Sequence, residues 1–430
     1  MDFSGKTLLG AIWELQTGAI PRTAMIAAAR QRADEVEPWL HAFTYRPAIY
    51  PPLSGVLAGI PIALKDIIAT AGMPTCNGSP FYAGNVPAED AWIAAKIKNY
   101  GGTIFGKTVT TEFAWRHPGP TVNAWSRLHT PGGSSSGSAA CVGAGIVPLA
   151  FGSQTLGSII RPAAFNGVVG YKPSFGSMSL DGVHPLAGSL DHLGYFTRNV
   201  ADAAAAFALF IEQTPEVVET ETSWRDYFPL IEPPRLAVIR TEAWSRADAE
   251  QQGNFESSLT ALRKAGAELT EMVLPASSDA IFEATLVILQ YEAARIHQNM
   301  AANHPDQASD VLKKLVADGL AVTESDYHAA LAFQKHLTGQ FAKLVAPYHA
   351  VLTLPALGEA PPGLAFTGDA TFCAAWSLMG APAISIPSGW SSNMLPLGLQ
   401  IASTPGADKQ LLQVAAWAEG CINWAPGAVK

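Results

Sequence analysis

A chain of 430 residues that is 48% hydrophobic and only 15% charged can bury a large core, which excludes a disordered or highly solvated protein. Its formal charge of −9 comes without any cluster of lysines and arginines, which argues against a nucleic-acid partner. The four cysteines, Cys76, Cys141, Cys373 and Cys421, lack the paired spacing of zinc or redox sites, so we expect buried thiols in a reducing, cytoplasmic setting and no metal.

The opening Met1-Asp-Phe-Ser-Gly-Lys6 lacks the charged start, apolar core and cleavage site of a signal peptide. Apolar spacing at three and four over residues 6–36 predicts a helical pair, with Pro21 placed to open the second helix. Short apolar runs near 56–64, 103–106 and 146–151 read as strands, separated by helical patterns such as Glu89 to Tyr100. Such alternation predicts an α/β class fold with layered helices and sheet. Ala139 to Phe151, the most apolar stretch, is too short to span a bilayer and carries Gly143, Gly145 and Pro148; it reads as a buried helix leading into a strand, and no membrane partner is expected. Residues 215–235 turn polar and end in Pro233-Pro234, a loop before the strand-like Leu236-Ala-Val-Ile239. Residues 254–348 read as a mostly helical cover, including a helix opened by the capping pattern Thr323-Glu-Ser-Asp326. Val351-Leu-Thr-Leu354 and Ala383-Ile-Ser-Ile386 then return as strands expected to rejoin the first sheet, before a last helix near 408–419.

Two glycine-bearing patterns suggest chemistry that their surroundings oppose. Gly101-Gly-Thr-Ile-Phe-Gly-Lys-Thr108 matches a phosphate loop letter for letter. A helical pattern precedes it, however, and strand-like Thr103-Ile-Phe105 lies inside it, so Gly101 and Gly102 read better as a helix C-cap. Gly133-Ser-Ser-Ser-Gly137 matches a nucleophile elbow with Ser135 as nucleophile, but the preceding Asn123-Ala-Trp-Ser-Arg-Leu-His-Thr130 is polar where a buried strand is required.

A third pattern joins Lys65 in Gly59-Ile-Pro-Ile-Ala-Leu-Lys-Asp66 with Pro131-Gly-Gly-Ser-Ser-Ser-Gly-Ser138 and Gly152-Ser-Gln-Thr-Leu-Gly-Ser-Ile-Ile-Arg-Pro162. On these motifs the chain resembles the amidase signature family, with Pro131 through Pro173 matching its glycine and serine rich core. Gly106-Lys-Thr108 and Pro396-Leu-Gly-Leu-Gln400 extend the likeness to nearly full length. The resemblance implies one α/β/α unit with a mixed central sheet flanked by helices, a signature core over about residues 55–200 and a helical cover over about 254–348. It also implies Ser158 as nucleophile, Ser134 as bridging serine after a cis peptide bond, and Lys65 as base. A lysine can take a proton only when neutral, so Lys65 must be buried away from carboxylates, which the neighbouring Ile60, Ile62, Ala63 and Leu64 suit. Asp66 should face away from Lys65 if both lie on a strand. Thr155, Leu156, Gly157 and Ser158 would supply N–H groups to an oxyanion. Leu156 stands where most members carry glycine, and there it would strain a positive φ or narrow the pocket.

The resemblance implies hydrolysis through an acyl-enzyme with no cofactor, on a small-molecule amide. Many members place an arginine two residues after the nucleophile; here Arg161 falls three after. With Gln154 and the triple serine 134–136, that spacing looks like the malonamidase-like members, in which the arginine grips a substrate carboxylate. Arg161 either does this or is a structural arginine. Thr367-Gly-Asp-Ala-Thr-Phe-Cys-Ala-Ala-Trp376 and Ser377-Leu-Met-Gly-Ala-Pro382 also resemble that subset, and no chemistry is assigned to them. A hydrolase of an aryl amide, ester or carbamate, or the glutaminase subunit of a tRNA amidotransferase, remain alternatives, with a homodimer as a possible assembly.

Overall fold

The computed structural model describes residues 5–51, 54–229, 232–422 and 424–425. Strands β1 (Phe43–Tyr45), β2 (Pro61–Lys65), β3 (Thr103–Thr108), β4 (Leu149–Gln154), β5 (Val169–Lys172), β6 (His192–Thr197), β7 (Arg235–Ile239), β8 (Glu268–Met272), β9 (Ala350–Thr353), β10 (Ala383–Trp390) and β11 (Pro396–Ala402) form one sheet. Their spatial order is β1-β3-β2-β4-β6-β5-β10-β11-β9-β7-β8. β2 runs parallel to β3 and β4, and β7 parallel to β8 and β9, while the remaining pairs are antiparallel. The sheet is thus mixed, and the late strands β9 to β11 rejoin it beside β5. Every residue of β2, β3, β4, β5 and β6 is buried, as expected of central strands covered on both faces.

The N-terminal helical pair spans Leu8–Gln16 and Ala24–Leu40. Pro21 does not open the second helix; its carbonyl accepts the Ala24 N–H in the turn before it. The 215–235 loop contains a short helix, Glu221–Tyr227. The cover consists of helices Ala249–Lys264, Ser278–Asn303, Asp310–Ala321 and Glu324–Val345, each with its first turn bonded to a side chain: Asp248, Ser277, Ser309 or Thr323. It is interrupted by β8, a strand the sequence reading missed, whose Glu-Leu-Thr-Glu-Met residues are exposed or half-buried at the sheet edge.

The phosphate-loop pattern dissolves in the structure. Gly101 adopts φ 81°, and the Gly102 N–H bonds to Ile97 O at 2.8 Å, closing helix Trp92–Asn99 before β3 begins. Lys107 is buried, donates to Ile68 O at 2.7 Å and Thr75 Oγ1 at 2.5 Å, and lies 3.3 Å from Asp66, so it is occupied within the protein. Among the described residues no helix is long and apolar enough to cross a membrane. Cys141 and Cys373 are buried, whereas Cys76 and Cys421 are only half-buried.

Candidate active site

Strands β2 and β4 are parallel neighbours in register, Leu64 opposite Phe151, so their C-terminal ends lie side by side. Lys65 ends β2, and the 155–158 turn follows β4 directly. Ligand sites in parallel sheets gather at such ends. The loop carrying Ser134 crosses here, with a cis Gly133–Ser134 peptide bond, and runs into the buried helix Ser136–Gly143.

Lys65 is fully buried, and its Nζ donates to Ser134 Oγ at 2.7 Å and to Ser153 Oγ at 2.8 Å. Burial pulls its pKa down to about 7, against an opposing influence of Asp191. Asp66, one residue on, turns away to Lys107 and the Cys76 N–H. No carboxylate among the described residues therefore forms an ion pair with Lys65. Asp191 itself accepts from Thr155 Oγ1 at 2.5 Å and from the N–H groups of Leu186 and Ala187, and burial raises its pKa to about 6.

The other serines of the triple are structural. Ser135 is fully buried, donates to Ser153 O at 3.1 Å and accepts from Ser153 N at 3.2 Å. A Cβ at Gly152 would lie 2.6 Å from Ser135 Oγ, so glycine is what lets the serine dock on β4. With no access to an incoming molecule, Ser135 is excluded as an elbow nucleophile. Ser136 Oγ donates to Gly132 O.

Ser158 and Ser134 line a cavity of about 570 Å³, together with Thr155, Leu156, Gly157 and Arg161. The Ser158 hydroxyl has no hydrogen-bond partner among the described residues. Nor do the backbone N–H groups of Thr155, Leu156, Gly157 and Ser158. These are four unpaired donors in a nearly buried turn, where an acceptor is owed. Leu156 does not adopt positive φ, so it brings no strain of that kind and acts only by placing its side chain in the cavity wall.

Arg161 lies in the first turn of helix Ile160–Asn166 and is buried. Its Nη2 donates to Gly133 O at 2.7 Å and to Thr367 Oγ1 at 3.4 Å, while Nε has no partner. Desolvation lowers its pKa to about 10, still cationic at neutral pH. One edge of the guanidinium thus braces the residue before Ser134. Arg116 and Asp369 line the same cavity.

Sequence reasoning missed Ser153, the second hydroxyl on Lys65, although it stands inside the second glycine and serine stretch. It missed Asp191, an acid whose isolated position before β6 gives no signal. It also left Ser377 without a role. In the structure Ser377 Oγ donates to Leu156 O at 2.8 Å and accepts from Gln154 Nε2 at 3.0 Å.

A buried lysine of lowered pKa against one serine, a second serine in a cavity and a turn of unpaired N–H groups are chemically able to support serine-dependent acyl transfer. The chain belongs to the amidase family, whose model, described as "Amidase", matches residues 40–412. It is 32% identical to the A-type subunit of the glutamyl-tRNA(Gln) amidotransferase of Halothermothrix orenii, over 91% of this chain and 92% of that one. Among solved structures, one described as a crystal structure of amidase superposes with a TM-score of 0.84 at 30% identity, covering 97% of this chain and 100% of the other. Native peptide amidase from Stenotrophomonas maltophilia superposes with a TM-score of 0.83 at 26% identity, covering 98% and 97%. The protein is accordingly an amidase-family hydrolase of amide C–N bonds.

Proposed function

We propose that the protein hydrolyses a carboxamide that also bears a carboxylate, through an acyl-enzyme on Ser158. The observation that carries this reading is the 2.7 Å contact between Ser134 and a buried Lys65 beside the cavity that Ser158 lines. Neutral Lys65 takes the Ser134 proton as Ser134 takes that of Ser158, and Ser158 Oγ bonds to the amide carbon. The carbonyl oxygen becomes an oxyanion facing the N–H groups of the 155–158 turn. Collapse breaks the C–N bond while Ser134 returns a proton to the departing amine, and Lys65 re-protonates Ser134. Water, deprotonated along the same route, then releases the acid. Arg161 would hold the substrate carboxylate through Nη1, the terminal nitrogen that neither Gly133 nor Thr367 engages.

Glutamine and malonamate both meet this description. The names of the relatives support the glutaminase subunit of an amidotransferase better than a malonamate-specific enzyme. A second reading, an aryl or otherwise bulky amide, is favoured by the apolar wall of Phe282, Leu286, Leu289, Val311 and Leu315. Ammonia release from glutamine, malonamate and a neutral anilide, alone and with the other subunits of an amidotransferase, separates these. Glutamine turnover that requires those subunits supports the amidotransferase reading, and Arg161→Leu should raise KM for an acidic amide well beyond that for a neutral one. Equal KM changes would remove the carboxylate role, and fluorophosphonate labelling at a residue other than Ser158 would remove the mechanism.

A further inference from the structure

The 155–158 turn is held from behind by a chain of buried hydrogen bonds. Gln154 Oε1 accepts the N–H groups of Ile159 at 2.8 Å and Ile160 at 3.0 Å. Its Nε2 donates to Ser377 Oγ at 3.0 Å, and Ser377 Oγ donates to Leu156 O at 2.8 Å. Gln154 and Ser377 are both buried. The direction of the chain admits no reversal. A flipped amide would set its NH₂ against two N–H groups, and the Ser377 hydroxyl, with a single proton, can serve Leu156 O only if Gln154 donates to it.

The carbonyl of Leu156 and the N–H of Gly157 belong to one planar peptide and point in opposite directions. Holding that carbonyl toward Ser377, on helix Thr371–Leu378, therefore aims the Gly157 N–H away from this helix. Gly157 is pressed closely on the same helix: a Cβ there would lie 2.9 Å from Ala370 Cβ and 3.2 Å from Cys373 Cβ. The turn can neither withdraw toward the helix nor rotate the peptide without orphaning a buried carbonyl.

We propose that Gln154 and Ser377 are positioning residues that set the direction of the Gly157 N–H toward the oxyanion formed at Ser158. The inference rests on the reading of Ser158 as nucleophile. A fluorophosphonate tests it, because attack on phosphorus also places charge on an oxygen in the oxyanion site. Ser377→Ala removes the donor to Leu156 O. Gln154→Glu keeps its size and can still accept from Ile159 and Ile160, but it draws the Ser377 proton to itself and frees Leu156 O. For both variants kinact at Ser158 should fall about 10–100-fold, less than or comparable to outright loss of one oxyanion donor, with KI unchanged. Ser377→Thr, which keeps the hydroxyl, should restore kinact; a merely structural hydroxyl would not produce this split of kinact from KI. Should Ser377→Ala fail to fold, Gln154→Glu carries the comparison. Undiminished kinact in a folded variant overturns the positioning role and leaves Ser158 as nucleophile, whereas a wild-type protein unlabelled at Ser158 overturns both.

Discussion

Lys65 owes its lowered pKa to what surrounds it. At the end of β2 it is fully buried and meets two serine hydroxyls, while the adjacent Asp66 is engaged by Lys107. With its pKa near 7, the proton-accepting neutral form is a minority in acid and a majority above pH 7. Labelling of Ser158 by a fluorophosphonate should therefore rise with pH, with a midpoint close to 7. Lys65→Arg, which stays protonated throughout, should remain about 10²–10⁴-fold slower at every pH. Asp191 acts in the opposite direction to burial, raising the Lys65 pKa. Asp191→Asn should move the midpoint to lower pH; a midpoint unmoved, or moved upward, would detach Asp191 from Lys65. Lys65, Ser134 and Ser158 could be proposed from sequence because each stands in a contiguous motif. Asp191 was not, because its role depends on packing that brings an acid 36 residues distant in the chain to Thr155.

At the scale of elements, Ser309 ties the helix Asp310–Ala321 of the cavity wall to the turn at Glu112. Ser309 caps helix Asp310–Ala321, accepting the Leu312 N–H at 3.1 Å, and its hydroxyl also donates to the buried carboxylate of Glu112. Glu112 opens a turn in which Phe113, Ala114 and Arg116 all adopt positive φ, and Ala114, Trp115 and Arg116 line the cavity. Ser309→Ala removes the cap, worth about 1 kcal/mol, and a donor to a buried charged group, worth about 1.5–3 kcal/mol. Urea unfolding should show a loss of about 2.5–4 kcal/mol, and Ser309→Asp, which keeps the cap but opposes Glu112, should not recover it. If Ser309→Asp matches the wild type, the tie to Glu112 contributes nothing. Elements of this kind differ in how far sequence betrays them. β2, β3 and β4 announce themselves as apolar runs, because central parallel strands need apolar residues on both faces. β5 and β6 are as buried, yet Val-Gly-Tyr-Lys and His-Leu-Gly-Tyr-Phe-Thr mix glycine and titratable residues that only tertiary partners satisfy. Lys172 donates to Ala381 O at 2.5 Å, and the His192 ring bonds to Gln154 O at 3.3 Å. β8 hides for the opposite reason, since an edge strand needs little apolar content.

Across the whole molecule, the proposed reacting groups and the apolar wall come from different parts of the chain. Lys65 ends β2, Ser134 lies in the loop before helix Ser136–Gly143 and the 155–158 turn follows β4, whereas Leu286 and Leu289 come from helix Ser278–Asn303 and Val311 and Leu315 from helix Asp310–Ala321. The sequence shows that residues 254–348 are mostly helical, but not which faces of these helices meet the cavity, because a helix packed on a core and a helix facing a ligand bury the same apolar stripe. This division makes size selectivity separable from chemistry. Leu286→Trp adds bulk to the wall without touching Lys65, Ser134 or the N–H donors. It should slow Ser158 labelling by a long-chain fluorophosphonate at least about 10-fold more than labelling by a methyl one, a difference of about 1.4 kcal/mol in the transition state. The selectivity should appear in KI, since an apolar wall binds reagent and transition state alike. If both reagents slow equally, Leu286 disturbs the site as a whole and the large cavity is not where the substrate's bulk lies. A reagent-dependent loss would instead place the choice of acyl group in the helical cover, leaving the β2–β4 end to carry a chemistry indifferent to it.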